Sequence, residues 1–263
     1  MVRLDGRAPG KHGLDLGIEG RVALVLGASK GIGRGIATAL AREGARVATS
    51  SRSAEMLEAA AAEIDGEVTP FPADTTDLDR MRNLPGEVAE GLGPVEILVT
   101  NTGGPPGGGA LDHSEDEWEL AFRSLVLAPH ALIQAVLPGM RERGWGRIVN
   151  VSSSSIREPI PGLTLSNANR LAALGFLETL ADEVAADGIT VNTVATGMFG
   201  TDRLADRHGS LEQAEATARE RVPARRLGTP DEYGDLVAFL CSERAAYLTG
   251  AVIPLDGGLL RSV

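Results

Sequence analysis

The sequence predicts an α/β protein, a doubly wound, seven-stranded parallel sheet with helices on both faces. Three observations carry that prediction. Apolar strand-like runs alternate with Ala-rich helical runs from Arg21 to the end of the chain, as repeated strand–helix–strand units do. Some of these runs are continuously apolar, as in Ile97-Leu98-Val99, which suits strands covered on both sides. A glycine cluster also follows the first run, where strand gives way to helix.

In order, the expected strands are Val22–Leu26, Arg46–Ser50, Glu67–Phe71, Glu96–Thr100, Arg147–Val151, Thr190–Val194 and Ala251–Leu255. Helical runs between them include Ile32–Arg42, Ala54–Ile64, Glu115–Leu137, Leu171–Ala186 and Asp231–Leu240. Gly103–Gly109 reads as a loop, because proline lacks the backbone donor and glycine admits positive φ. The polar stretch Gly200–Arg221 is expected to be a mobile lid or a plain surface helix.

Composition narrows the function classes. With 263 residues the chain can bury one large core, and at 3% aromatics that core must be aliphatic. A net charge of −11 argues against non-specific binding to nucleic acid or an anionic membrane. Cys241 is the sole cysteine, so no intramolecular disulfide forms and a reducing, cytoplasmic setting is expected. No apolar run in the sequence approaches the roughly 20 residues of a membrane span. Residues 1–15 read as a flexible Gly-rich arm before a single domain over 16–263.

The first strand runs into Gly27-Ala-Ser-Lys-Gly31-Ile-Gly33, and a helix follows. Glycines there let the chain turn tightly and let phosphates approach the backbone, while the helix start offers free N–H groups. The match alone equally describes a tight strand–helix turn; its place in the first unit of a parallel sheet points to a Rossmann-type dinucleotide site. The second strand ends at Ser51-Arg52, without the carboxylate that an NAD ribose would use, and Lys30 lies in the glycine turn. Two cations and no acid suit a 2′-phosphate, so NADP(H) is favoured over NAD(H), unless both cations are merely solvated.

These residues and those downstream resemble the short-chain dehydrogenase/reductase family, near its ketoacyl-carrier-protein-reductase-like members. The resemblance spans Leu16 to Val263. It includes Ala73-Asp74-Thr75, Thr100-Asn101-Thr102-Gly103, Gly146–Ser153, Thr196-Gly197 with Thr201, Arg226–Pro230, and Leu248–Gly258. It implies cofactor contacts at Gly27, Ser29, Lys30, Gly31, Ile32, Gly33, Ser51, Arg52, Ala73, Asp74, Thr75, Asn101, Thr102, Gly103, Val151, Arg170, Thr196, Gly197 and Met198, with no metal. It also implies a homo-oligomer, a tetramer or dimer, acting on a small-molecule or acyl substrate.

The active site departs from the family pattern. A Tyr belongs thirteen residues after the catalytic Ser, and a Lys four beyond it. Counted from Ser153, those positions hold Ser166 and Arg170, and the family's catalytic Asn falls at Leu125. The candidate catalytic residues are therefore Ser153, Ser166 and Arg170. A spacing of four sets the last two on one helix face. Gly103-Gly-Pro-Pro106 and Ser166-Asn167 resemble a side branch of ketoacyl-reductase-like sequences, which makes the Ser/Arg pair a lineage trait.

Ketone reduction needs a hydride and a proton, and the family's Tyr supplies the proton because its Lys lowers the phenol pKa. A serine hydroxyl is far less acidic, and arginine does not exchange a proton near neutral pH. Tyr233 and Tyr247 are expected to be packing residues, and His113, His130 and His208 surface ones. Three functions fit: an NADPH-dependent reductase of C=O or C=N with a modified proton path; a non-redox dehydration, cyclisation or decarboxylation on the same scaffold; or a catalytically silent NADP-binding protein.

Overall fold

A computed structural model describes residues 15–261; the arm expected over 1–15 lies outside the described residues except for Asp15. The strands are β1 (Val22–Leu26), β2 (Arg46–Ser50), β3 (Val68–Pro70), β4 (Ile97–Thr100), β5 (Gly146–Val151), β6 (Ile189–Thr196) and β7 (Val252–Leu255). They form one seven-stranded sheet in the order β3-β2-β1-β4-β5-β6-β7. Every pairing is parallel. The expected strands are all present; β3 is shorter at both ends and β6 runs two residues further, to Thr196.

The helices are α1 (Gly31–Arg42), α2 (Ala54–Ala62), α3 (Leu78–Gly91), α4 (Glu115–Phe122), α5 (Ala128–Arg143), α6 (Thr164–Val184), α7 (Asp202–His208), α8 (Leu211–Arg221) and α9 (Pro230–Leu240). Side chains alternate across each strand. Ala23 and Val25 of β1 join Ile36, Leu40, Leu57 and Val237 from α1, α2 and α9 in one core. Val22, Leu24 and Leu26 join Met81, Leu132, Val136 and Leu177 from α3, α5 and α6 in the other. This two-sided burial is what the unbroken apolar strands require.

Helix α3 escaped the sequence reading because its surface is highly charged and Pro85 lies inside it. Its signal was there: Met81, Leu84, Pro85 and Val88 form an apolar stripe at helical spacing, and Asp77 caps the start by accepting from the Arg80 N–H. Helices α4 and α5 join through a π-helical segment, Arg123–Leu127, into one helix over Glu115–Arg143. The expected helix Glu115–Leu137 thus runs on to Arg143 and is long and apolar enough to cross a membrane, which corrects the expectation that no apolar run approaches such a span; half of its most apolar window is buried in the domain. Leu132, Ile133, Val136 and Met140 fill the core there.

Arg147, the second residue of β5, is buried, with 2% exposure, and among the described residues no carboxylate pairs with it. Its guanidinium donates to the carbonyls of Gly146, Gly188 and Ser242 and lies 4.4 Å from the Trp145 ring centre, while Arg21 stacks on that ring at 3.6 Å. Burial lowers its pKa, yet it ties β5 to the chain entering β6 and to the end of α9. Replacing Arg147 with Ala should lower the unfolding free energy by about 3 kcal/mol in urea denaturation. Arg147→Met should recover part of that loss by restoring the packed stem, leaving the carbonyls unpaired. Equal stability of the two variants would contradict this account.

Candidate active site

Strand order reverses beside β1, between β2 and β4, and in open α/β sheets ligands bind in the crevice at the carboxyl ends of the strands flanking that point. There Gly27 and Gly31 adopt φ of +62° and +56°, values that side chains rarely allow. A Cβ on Gly33 would sit 2.1 Å from the Gly27 carbonyl oxygen, and one on Gly27 would sit 2.5 Å from the Asn101 oxygen. From the end of β4, Asn101 donates its Nδ2 to the Gly27 carbonyl at 3.4 Å. Helix α1 begins at Gly31 without a side-chain cap, so its first N–H groups face the crevice free for an anion. The cradle fits a dinucleotide's phosphates on these grounds: Gly27, Gly31 and Gly33 leave the backbone bare, and although the Ala28 N–H is taken by the Ser50 carbonyl, α1 starts without a side-chain cap.

The remaining cofactor candidates line up along the same edge. Arg52 is exposed beyond β2, and Ser51 is half-buried. Ala73 donates its N–H to the Ser51 carbonyl, and Asp74 folds back to accept from the Thr76 N–H and hydroxyl, both at 2.9 Å. Ser29 and Ile32 sit in the glycine turn and Thr75 beside Asp74; Thr102 is buried after β4, and Gly103 is exposed. Lys30 pairs with Asp202 at 3.0 Å, tying the glycine turn to the start of α7. Among the described residues, Arg52 is thus the one cation of the two left without a carboxylate partner.

At the end of β6, Gly197 packs so closely that a Cβ would lie 2.5 Å from Asp256 Cα. The Met198 carbonyl accepts from the Gly228 N–H. Thr196 shares a 2.8 Å hydrogen bond with the Tyr233 phenol, which is fully buried and stacks edge-on against Phe199 at 5.1 Å. Burial pushes the phenol pKa up, against the Thr196 hydrogen bond and the field of Arg170. Tyr233 therefore packs and braces the cofactor loop, and has none of the acidity of the family's catalytic Tyr. Tyr247, expected to pack, is fully exposed instead.

On the substrate side, Ser166 is buried in the first turn of α6 and Arg170 is half-buried one turn on. The Arg170 Nε donates to Ser166 Oγ at 3.1 Å, and its Nη1 donates to the Val151 carbonyl at the end of β5 at 2.9 Å. Ser153 lies two residues beyond Val151, where its Oγ accepts from the Ser155 N–H. Burial, and then repulsion from Arg203, lower the Arg170 pKa to about 10, so it stays a cation at neutral pH. Leu125 is buried inside the π-helical segment with Val126 and Ala173. A π-bulge commonly marks a functional position, but the side chain it carries here offers no hydrogen bond.

The polar stretch expected as lid or surface helix forms two short helices, α7 and α8. Arg203 on α7 donates to the carbonyls of Gly104 and Pro105 at 3.1 and 3.3 Å, drawing α7 onto the glycine-rich loop. No periodicity in that stretch singles out Arg203 beforehand. His113, expected at the surface, is buried to 3% side-chain exposure, and a Cβ on Gly108 would strike its ring. His130 packs against Phe176. A surface depression of about 310 Å³ between α8 and residues 225–230 contains none of the expected site residues.

A family model described as enoyl-(acyl carrier protein) reductase matches residues 27–260. Nodulation protein G of Azospirillum brasilense is 35% identical over 245 residues, covering 91% of this chain and 98% of that one. A 3-oxoacyl-(acyl-carrier-protein) reductase of Thermotoga maritima is 33% identical over 246 residues, covering 92% and 99%. L-sorbose reductase from Gluconobacter frateurii, solved with NADPH and L-sorbose, superposes with a TM-score of 0.90 at 30% identity, over 95% of this chain and all of that one. Replacing Tyr233 with Phe should cost about 1 kcal/mol of stability in urea denaturation by stranding the Thr196 hydroxyl; an unchanged midpoint would remove Tyr233 from the support of the loop.

Proposed function

The chain belongs to the short-chain dehydrogenase/reductase family, and on that premise we propose that it is an NADPH-dependent reductase of a carbonyl or imine group, with Ser153, Ser166 and Arg170 as its catalytic residues. The observation that carries the reading is the Arg170 guanidinium, fixed by Ser166 and the Val151 carbonyl at the floor of a cleft whose phosphate cradle is intact. The preference for NADP(H) rests on Arg52 and the missing carboxylate at the end of β2, and L-sorbose reductase, solved with NADPH, supports it.

The bound dinucleotide would supply a hydride. Arg170 supplies a fixed positive charge against the negative charge that develops on a reacting oxygen, and the Ser153 and Ser166 hydroxyls supply hydrogen bonds to it. None of the three delivers a proton at neutral pH, since Arg170 loses its own only near pH 10. A substrate that arrives protonated, such as an iminium, suits this site better than a ketone. Leu125, buried where the family keeps a polar relay residue, favours the second reading: an enolate-stabilising, non-redox reaction on the same floor. Exposed Leu120 and Phe122 on α4 and Leu171 on α6 support a homo-oligomer.

A panel of ketones and cyclic imines assayed by NADPH oxidation separates the readings: turnover of imines above ketones is expected, and turnover without an absorbance change at the nicotinamide band would shift the assignment to the non-redox reaction. The double variant Ser166→Tyr with Arg170→Lys should fail to restore strong ketone reduction, because Leu125 still interrupts the proton relay; robust activity would refute that explanation. The kcat/KM profile should show no titration of a site group between about pH 6 and 9. A tyrosine-like inflection there would mean that another acid serves the site.

A further inference from the structure

Arg170 on the cleft floor lies near enough to Arg203 of α7 for their charges to repel. Arg207 follows one turn along α7, and among the described residues no carboxylate pairs with any of the three. Arg170 lies on the floor with only a hydroxyl and a carbonyl as partners. Arg203 reaches across the loop after β4 and bonds only to the carbonyls of Gly104 and Pro105. That loop continues to Gly108, whose N–H bonds to the Gly162 carbonyl and whose carbonyl accepts from the Thr164 N–H. It therefore joins the first turn of α6, which carries Ser166 and leads to Arg170. Arg207, one turn beyond Arg203 on α7, makes no hydrogen bond or ion pair among the described residues.

Such an arrangement is costly. Like charges within a Debye length repel, and the half-buried Arg170 gives up solvation that no counter-ion replaces, whereas Arg203 and Arg207 on α7 are exposed. Burial lowers the pKa of Arg203 and of Arg207, with Asp206 easing the first and the fields of Arg203 and Arg221 worsening the second. The chain has acids to spare, with a net charge of −11, and elsewhere it uses them. Arg21 pairs with Glu96, Arg141 with Asp187 and Arg226 with Glu232. Arg170, Arg203 and Arg207, like Arg52 and Arg147, have no such partner among the described residues. What sets the first two apart is that they share one cleft, and guanidinium groups are the donors best matched to a carboxylate or phosphate.

We propose that Arg170, Arg203 and Arg207 form an oxyanion-binding subsite, so that the substrate is an acidic small molecule, a ketone or imine that also carries a carboxylate or a phosphate. This rests on the reductase reading for the reacting group, though not for the anion. Closing α7 over the glycine-rich loop would then be completed by the substrate's own charge.

Calorimetric titration of the NADP-saturated protein with matched pairs tests it: 4-oxopentanoate against its methyl ester, and dihydroxyacetone phosphate against dihydroxyacetone. The acid of at least one pair should bind at least tenfold tighter than its neutral partner, about 1.4 kcal/mol, and the pair that shows it identifies carboxylate or phosphate. Arg207→Gln, which removes no hydrogen bond, and Arg203→Gln should each bring that ratio below about threefold. Arg219→Gln, removing an arginine paired with Glu215 on α8, should leave it unchanged. A ratio near one in the wild type, or one that survives the Arg203→Gln/Arg207→Gln double variant, overturns the proposal. So does a cluster that serves the dinucleotide instead, in which case Arg207→Gln weakens NADPH binding and spares the acid-to-ester ratio. Because the readout is heat of binding, a protein that binds the acids yet oxidises no NADPH keeps the subsite and loses only the redox reading.

Discussion

The site depends on one steric constraint: position 33 has no room for a side chain. With the Cα of Gly33 against the Gly27 carbonyl, α1 seats its first turn directly over the end of β1. The same carbonyl accepts from Asn101, so the ends of β1 and β4 are drawn together beside the reversal of strand order. A cradle of free backbone donors results, built from chain geometry rather than from charged side chains. Any Cβ at position 33 would push the helix from the sheet, and the cofactor edge would lose its shape with it.

The catalytic floor rests on a different kind of interaction. Arg170 is held at two points, by the Val151 carbonyl and the Ser166 hydroxyl, so its charge is pre-aimed at the crevice instead of free to swing into solvent. In the usual family arrangement a lysine tunes a phenol that gives up a proton. Here an arginine bonds to a serine hydroxyl at those positions, and in the proposed reading charge stabilisation replaces proton delivery. The π-helical turn at Leu125 keeps a backbone distortion whose side chain is now apolar. On the proposed reading the site offers residues for charge stabilisation and none for a proton relay.

Helix α7 links the two halves. Asp202 at its start holds Lys30 of the glycine turn, and Arg203, the next residue, holds the loop after β4. One turn of helix thus touches both the glycine turn and the loop after β4. The bonds concerned are exposed ion pairs and carbonyl contacts, individually weak in water. Tyr233, bonded to Thr196 and stacked on Phe199, anchors the base of the same loop in the core.

Periodicity and glycine spacing were enough to determine the parallel sheet, its seven strands and the glycine turn, because those features follow from local backbone preferences and two-sided burial. Counting from Ser153 was enough to locate Ser166 and Arg170 and to reveal the missing tyrosine. Helix α3 was legible in its Met81, Leu84 and Val88 stripe but was masked by charge and by Pro85. What only the tertiary structure decided is which partners the long polar side chains choose. Lys30 went to Asp202, Arg203 to the carbonyls of a loop about a hundred residues away, and Arg147 into the core between carbonyls and Trp145. Long flexible cations reach any acceptor within several ångströms, so their partners depend on how distant segments are brought together, and spacing along the chain carries no trace of that.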